Sequence, residues 1–174
     1  EGVTPLEECR SYEDVVRAYR QVLEHYIELE VSADNINDLA MEELVPDAFT
    51  AILIQDCIGR GKTIKEGGAI YDMVSGLLSG VVDVGDSLYA IKKLVFEDGR
   101  LTTAQLKEAL STNFAGPEGA EIHALLREVP EKYGNDNDAV DQVVAEVMRY
   151  YIEKIGGYKN TRYGRGPVGG HFMA

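Results

Sequence analysis

Only two of the 174 residues are cysteine and three are histidine. Two thiols, Cys9 and Cys57, cannot build a disulfide framework, and His25, His123 and His171 are too scattered for any local metal-ligand spacing. No apolar run approaches the ~18–20 residues that a bilayer crossing takes, and no charged start leads into an apolar signal core. Basic residues are scarce as well, 17 against 30 acids, for a net charge of −13. A nucleic-acid clamp needs clustered positive charge, so this balance excludes one. What is present, 45% hydrophobic and 27% charged residues, is the composition of a globular chain with a sizeable core. A cytoplasmic setting fits it.

Charge and pattern are uneven along the chain. Residues 154–174 hold Lys154, Lys159, Arg162 and Arg165 and no acid. The first 153 residues read as mostly helical, and the rest as a Gly-rich basic loop leading into a strand. Ser11 with Asp14 matches a capping box. Tyr12, Val15, Tyr19, Val22, Tyr26 and Leu29 follow at helical steps. Residues 32–45, with Asn35 and Asn37, are expected to be partly irregular. Pro46 is expected to open a second helix through Phe49, Ile52, Leu53 and Ile58, ended by Gly59 and Gly61. Residues 69–82 fit either a buried strand or a glycine-broken loop. Asp86 is expected to cap a helix that Gly99 stops. Thr102 with Gln105 starts another, and Gly116-Pro117 precedes a further one with Ile122, Leu125 and Leu126. The last helix is expected over about 138–155, with Val140, Val143, Val144, Val147, Tyr151 and Ile155 on one face. Several helices for one or two strands is an awkward ratio, because a lone strand needs partners for its backbone polar groups. The chain opens without Met and closes on Gly169-Gly170-His171-Phe172-Met173-Ala174, so it is expected to be a stretch of something longer.

Several short motifs invite a functional reading. Gly59-Arg60-Gly61-Lys62-Thr63 looks like the tail of a phosphate-binding loop. Asp56 stands where that loop needs its first glycine, and a helix, not a strand, precedes it. A helix-ending turn is the better reading. Asn135-Asp136-Asn137-Asp138 lacks the glycine and closing glutamate of an EF-hand and reads as an Asx-rich cap. Neither cysteine has a nearby base or helix N-terminus that would favour thiolate, so both read as structural. His25 and His123 read as ordinary interface or surface positions. His171, after the basic loop, is a candidate pocket residue. Arg162-Tyr163-Gly164-Arg165-Gly166-Pro167 offers guanidinium forks among glycines, suited either to an anionic ligand or to pairing with the acidic helices.

Read as a whole, the chain resembles the glycyl radical enzymes of the pyruvate formate-lyase superfamily. Three segments carry the likeness. The first spans residues 56–102, where Arg60-Gly61-Lys62, Gly67-Gly68-Ala69, Tyr71, Asp86-Ser87-Leu88 and Ile91-Lys92-Lys93-Leu94-Val95 fall in the family's order. The second is NFAGPEG (113–119) with KYGNDND and Val140-Asp141 after it. The third is NTRYGRGPVGG (160–170). The resemblance runs from about Tyr12 onward and implies a small fraction of a family member.

The resemblance implies an α/β fold, with this chain a mostly helical segment of a ten-stranded α/β barrel. It would form a single partial domain over 1–174, supplying outer helices and one or two strands, around Met73–Val82 and near Gly170–Ala174. It also implies a radical lyase of anaerobic bacteria. An activating enzyme with an iron–sulfur cluster and S-adenosylmethionine installs a glycyl radical, a cysteine thiyl abstracts hydrogen, and a C–C, C–O, C–N or C–S bond breaks. The family's Gly-Cys-x-Glu and Arg-Val-x-Gly-Tyr loops do not occur in these residues. No catalytic residue, metal ligand or cofactor is therefore assigned to this chain, and alone it is expected to be inactive. The substrate-binding candidates are Leu77, Arg162, Arg165, His171 and Phe172. The expected partners are the rest of the parent enzyme, the activating enzyme, a small anionic substrate and a second copy in a homodimer, with no nucleic acid and no membrane. Tyr71-Asp72-Met73-Val74-Ser75-Gly76-Leu77-Leu78 departs from the Tyr-Asn-x-Thr-Gly-Pro-Gln-Gly pattern of many dehydratases. That points toward arylacetate decarboxylases and sulfonate lyases. The competing reading is a stand-alone acidic helical module that binds a protein partner; a nucleotide-binding protein comes third.

Overall fold

The computed structural model describes residues 2–71, 75–129, 131–159 and 169–173, with backbone alone at 75–77 and 169–173. In chain order these form α1 (Tyr12–Leu44), α2 (Ala48–Leu53), α3 (Cys57–Arg60), β1 (Ser75–Ser79), α4 (Val81–Ile91), α5 (Thr103–Ser111), α6 (Gly116–Arg127), α7 (Asp138–Ile155) and β2 (Gly169–Met173). They fall into two compact units: Glu1–Leu23 and Ser79–Arg149 with Ala174, and Glu24–Leu78 with Tyr150–Met173.

The first unit is built from short helices with strong local signals. The Ser11 hydroxyl accepts the Asp14 amide at 3.2 Å, and the Asp14 carboxylate accepts the Ser11 amide at 3.1 Å. This is the reciprocal cap that starts α1. Thr102 and Gln105 make the same exchange ahead of α5. α4 begins at Val81, earlier than Asp86 suggested, because Gly80 takes a left-handed φ of 72° at the strand-to-helix corner. Asp86 instead lies within the helix and accepts the Tyr133 amide at 2.9 Å, which ties down the loop before α7. At its C-terminal end α4 widens into a π turn over Lys92–Glu97, and the Asp98 amide reaches back five residues to the Lys93 carbonyl. Gly99, at φ 62°, then reverses the chain as expected.

The core of this unit includes Val81, Leu88, Leu94, Leu106, Ala109, Ile122, Val140 and Val144, all buried. α4 and α7 pack tightly together at Gly85. A Cβ there would lie 2.2 Å from a Val144 methyl, so only glycine fits. α7 has the bounds expected of it and buries Val140, Val143, Val144, Val147, Tyr151 and Ile155. The Asn137 side chain accepts the Ala139 amide at 3.1 Å, which makes the Asn-Asp run a cap, as read from the sequence.

In the second unit α1 continues unbroken to Leu44, which corrects the irregular stretch expected over 32–45. Asn35 and Asn37 cost only a few tenths of a kcal/mol each in helix propensity. Burial of Ile27 and Val31 and an ion pair from buried Asp38 to Lys65 at 3.4 Å outweigh that. The single helix expected after Pro46 is two helices instead. Asp47 caps α2 through the Thr50 amide at 2.9 Å, and Asp56, at φ 75°, breaks the chain before α3. β1 and β2 pair with each other in a two-stranded sheet. Strands read as needing partners from elsewhere thus find a neighbour within the chain.

Candidate functional site

The geometry near β1 starts with the turn that leads into it. Gly61, at φ 62°, caps α3, and its amide bonds to the Ile58 carbonyl at 3.1 Å. Thr63 and Glu66 then satisfy each other. The Glu66 carboxylate accepts the Thr63 amide at 2.7 Å, and the Thr63 hydroxyl accepts the Glu66 amide at 3.3 Å. The Thr63 amide first, and then the Thr63 side chain, hold the Glu66 carboxyl below the usual carboxylate range. At Gly68 a Cβ would sit 2.3 Å from the Lys62 carbonyl oxygen, so the second glycine of the pair is sterically required. Arg60 spans the turn, ion-paired to Asp56 at 3.3 Å and donating to the Ala69 carbonyl at 3.5 Å. The phosphate-loop resemblance dissolves here: Arg60-Gly61-Lys62 is a helix end stapled to the segment before the strand. No spacing in the sequence announces the staple, since Arg60 reaches a backbone carbonyl nine residues on.

Leu77 lies on β1, and His171 and Phe172 lie on β2. Because these strands are sheet neighbours, residues from the middle and the end of the sequence are brought onto one ribbon. Arg162 and Arg165 lie outside the described residues. They belong to the connection from α7 to β2, so the ribbon brings together the backbones of three of the five candidates.

Both cysteines are buried, at 5% exposure for Cys9 and 2% for Cys57. Burial pushes the Cys9 thiol up, as do the Asp14, Glu7 and Glu8 charges, against a smaller opposing effect of Arg17. Reactive thiols need the opposite environment. His25 is exposed with its ring edge-on to Tyr26, and His123 rests on the Phe114 ring at 4.8 Å between centroids. His123 also lines an open groove of about 740 Å³ in the first unit, with Asp86, Ile91, Leu110, Phe114 and Lys132. Among the described residues no group of three or more His, Cys, Asp or Glu side chains could hold a metal ion, and no helix is long and apolar enough to cross a membrane.

Comparison with known proteins covers nearly the whole chain. A pyruvate formate lyase-like family model matches residues 2–172. The chain is 41% identical over 164 residues to the probable dehydratase YbiW of Escherichia coli K12, covering 94% of this chain and 20% of that protein. It is 30% identical over 186 aligned positions to indoleacetate decarboxylase of Tractidigestivibacter scatoligenes, covering 94% of this chain and 21% of that one. A solved structure concerned with 1,2-propanediol dehydration in Roseburia inulinivorans superimposes with a TM-score of 0.83 at 42% identity, over 94% of this chain and 21% of its own. Relatives of more than one reaction class, dehydratases, a decarboxylase and isethionate sulfite-lyases, match this chain, so these identities do not assign a subgroup. The chain spans about a fifth of the length of these relatives. With a match that runs from end to end and a shared backbone, the chain belongs to the pyruvate formate lyase-like family.

Proposed function

We propose that the whole protein is a glycyl radical lyase acting on a small anionic substrate, and that this stretch supplies outer helices and two strands of its barrel. The observation that carries the reading is the pairing of β1 with β2. It sets Leu77 beside the strand of His171 and Phe172 in a family whose members surround their substrate with such strands. In that role Leu77 and Phe172 would offer apolar walls, and His171 a hydrogen-bonding group. Arg162 and Arg165, on the basic loop, would hold a carboxylate or sulfonate through paired N–H donors.

Radical chemistry would be supplied by groups elsewhere in the protein: a glycyl radical installed by an iron–sulfur S-adenosylmethionine enzyme, and a cysteine in its own loop. Cys9 and Cys57 do not fit that task, being buried and outside the family's Gly-Cys-x-Glu pattern. The contribution of this chain is to bind and orient.

The test uses the full-length protein, activated anaerobically and followed by electron paramagnetic resonance and by turnover of a panel of small carboxylates and sulfonates. A glycyl radical signal with turnover supports the reading; a properly activated protein with neither ends it. Arg162→Ala and Arg165→Ala are expected to raise KM about 10- to 100-fold, the range for losing one charge-assisted hydrogen bond, with radical yield unchanged. Unchanged kinetics in both variants would remove the arginines from the site.

A further inference from the structure

α1 carries two apolar faces, and only one of them is buried. Ile27 and Val31 are buried at 1% and 7% exposure, and Asp38 lies on the same side. About half a helical turn away run Tyr26, Leu29, Ala33, Ile36, Ala40 and Leu44, spaced by three, four, three, four and four residues. The large members of this second row are 63% (Tyr26), 51% (Leu29), 69% (Ile36) and 74% (Leu44) exposed, and both alanines are exposed too. A row alternating three and four keeps one line of contact along a neighbouring helix crossed at about 20°. Over 18 residues it reaches roughly 27 Å. Solitary apolar residues at a surface need no explanation, but a continuous row does.

Charge identifies what covers it. Between Glu24 and Leu44 the helix has seven acidic residues and no lysine or arginine; Glu24 and Asp38 pair with Lys154 and Lys65 of this chain, and the other five keep the helix strongly acidic. A second copy of this chain laid along the row would set acid against acid. The row is also too small for a dimer: roughly 27 Å by 10 Å is about a third of the ~800 Å² per partner of a stable interface. The relatives are about five times as long as this chain, so most of such a polypeptide lies outside these residues. We infer that the Tyr26–Leu44 row is the seam for one amphipathic helix from elsewhere in the same polypeptide, with an apolar stripe flanked by lysine or arginine. The inference rests on the reading of this chain as part of a longer family member, and it adds which surface the remainder covers and with what chemistry.

The test uses full-length protein and a readout separate from the radical. Ile36→Cys is treated with a maleimide, and labelling is read on the tryptic peptide that contains it. We expect labelling at least 100-fold slower in native protein than in denaturant, with the same rate across a 100-fold dilution. A native rate within tenfold of the denatured one overturns the seam, and protection lost on dilution assigns it to a second copy instead. Wild-type protein provides the second measurement, needed alone if Ile36→Cys does not fold. Mixed nitrogen-14 and nitrogen-15 batches are cross-linked with a carbodiimide, which joins a carboxylate to an amine with loss of water. Single-isotope links from Glu28, Glu30 or Glu43 to lysines outside residues 1–174 are expected. Mixed-isotope links, or none, overturn the inference. Loss of the radical signal with the seam still protected would sink the lyase reading and leave this one standing.

Discussion

The two units differ in how they deal with apolar surface. Among the described residues, Glu1–Leu23 with Ser79–Arg149 holds 16 of the buried hydrophobic residues, and Glu24–Leu78 with Tyr150–Met173 holds seven. Exposure runs the other way. Val3, Val22, Leu110 and Tyr133 are the large hydrophobics left open in the first unit, against 14 in the second, with Leu44, Phe49, Leu53, Ile58 and Tyr71 each above 70%. At roughly 25 cal/mol per Å² such exposure is expensive in water. The first unit therefore behaves as a finished core. The second leaves more of its large apolar side chains open among the described residues.

The sharpest way to break that contrast is inside the finished core. Leu106 is 2% exposed on α5, and Leu106→Ala is expected to cost about 2–5 kcal/mol, because the neighbours collapse only partly into the hole. Hydrogen exchange on the full-length protein should show the lost protection in α5 and α6. A loss below about 1 kcal/mol would mean that the first unit is no better packed than the second. A smaller effect is expected from Gly85→Ala, whose new methyl must push Val144 aside. Overpacking of this kind costs about 1–3 kcal/mol. The double variant with Val144→Ala removes the clashing methyl and should recover part of the loss. If it recovers nothing, the close approach of α4 and α7 is not what makes alanine costly there.

The same contrast explains what could be read from the sequence. In the first unit local chemistry and tertiary structure agree. Thr102 with Gln105, Gly99, and the row from Val140 to Val147 each lie where pattern alone puts them, because caps and an apolar stripe are short-range signals. In the second unit long-range partners decide. The stretch around Asn35 and Asn37 stays helical because Asp38 finds Lys65 27 residues on. The split between α2 and α3 depends on a left-handed Asp56, which propensity does not announce. Of the site, the strand near Leu77 could be suspected from its glycines and apolar residues. Its pairing with the strand of His171 could not, since register across so long a separation leaves no local trace. Asp86 shows how a cap residue can mislead: its carboxylate serves a distant amide of Tyr133 instead of the helix start.

The smallest effect concerns the polar links of the second unit. Glu24 pairs with Lys154 at 2.6 Å and accepts a hydrogen bond from the Tyr150 hydroxyl. These contacts, Lys154 first, hold the Glu24 carboxyl below the usual range, while the bond to Glu24 pushes Lys154 up. A lowered carboxylate stabilises the fold above its unfolded pKa near 4.3 and loses that contribution as pH falls through the folded value. A raised lysine contributes below about 10.4 and loses it as pH rises further. The link should therefore be complete across neutral pH and fade at both extremes. The Lys154 and Glu24 side chains are 43% and 40% exposed, so solvent screening keeps the gain small. Glu24→Gln keeps the size and an acceptor for Tyr150 but removes the charge. Urea midpoints of wild type and variant should differ slightly at pH 7, converge as the pH falls below the folded value for Glu24, and draw together at high salt. A variant that is 2 kcal/mol or more less stable at pH 7 would mean that ionic links, rather than coverage of its apolar faces, hold the second unit together.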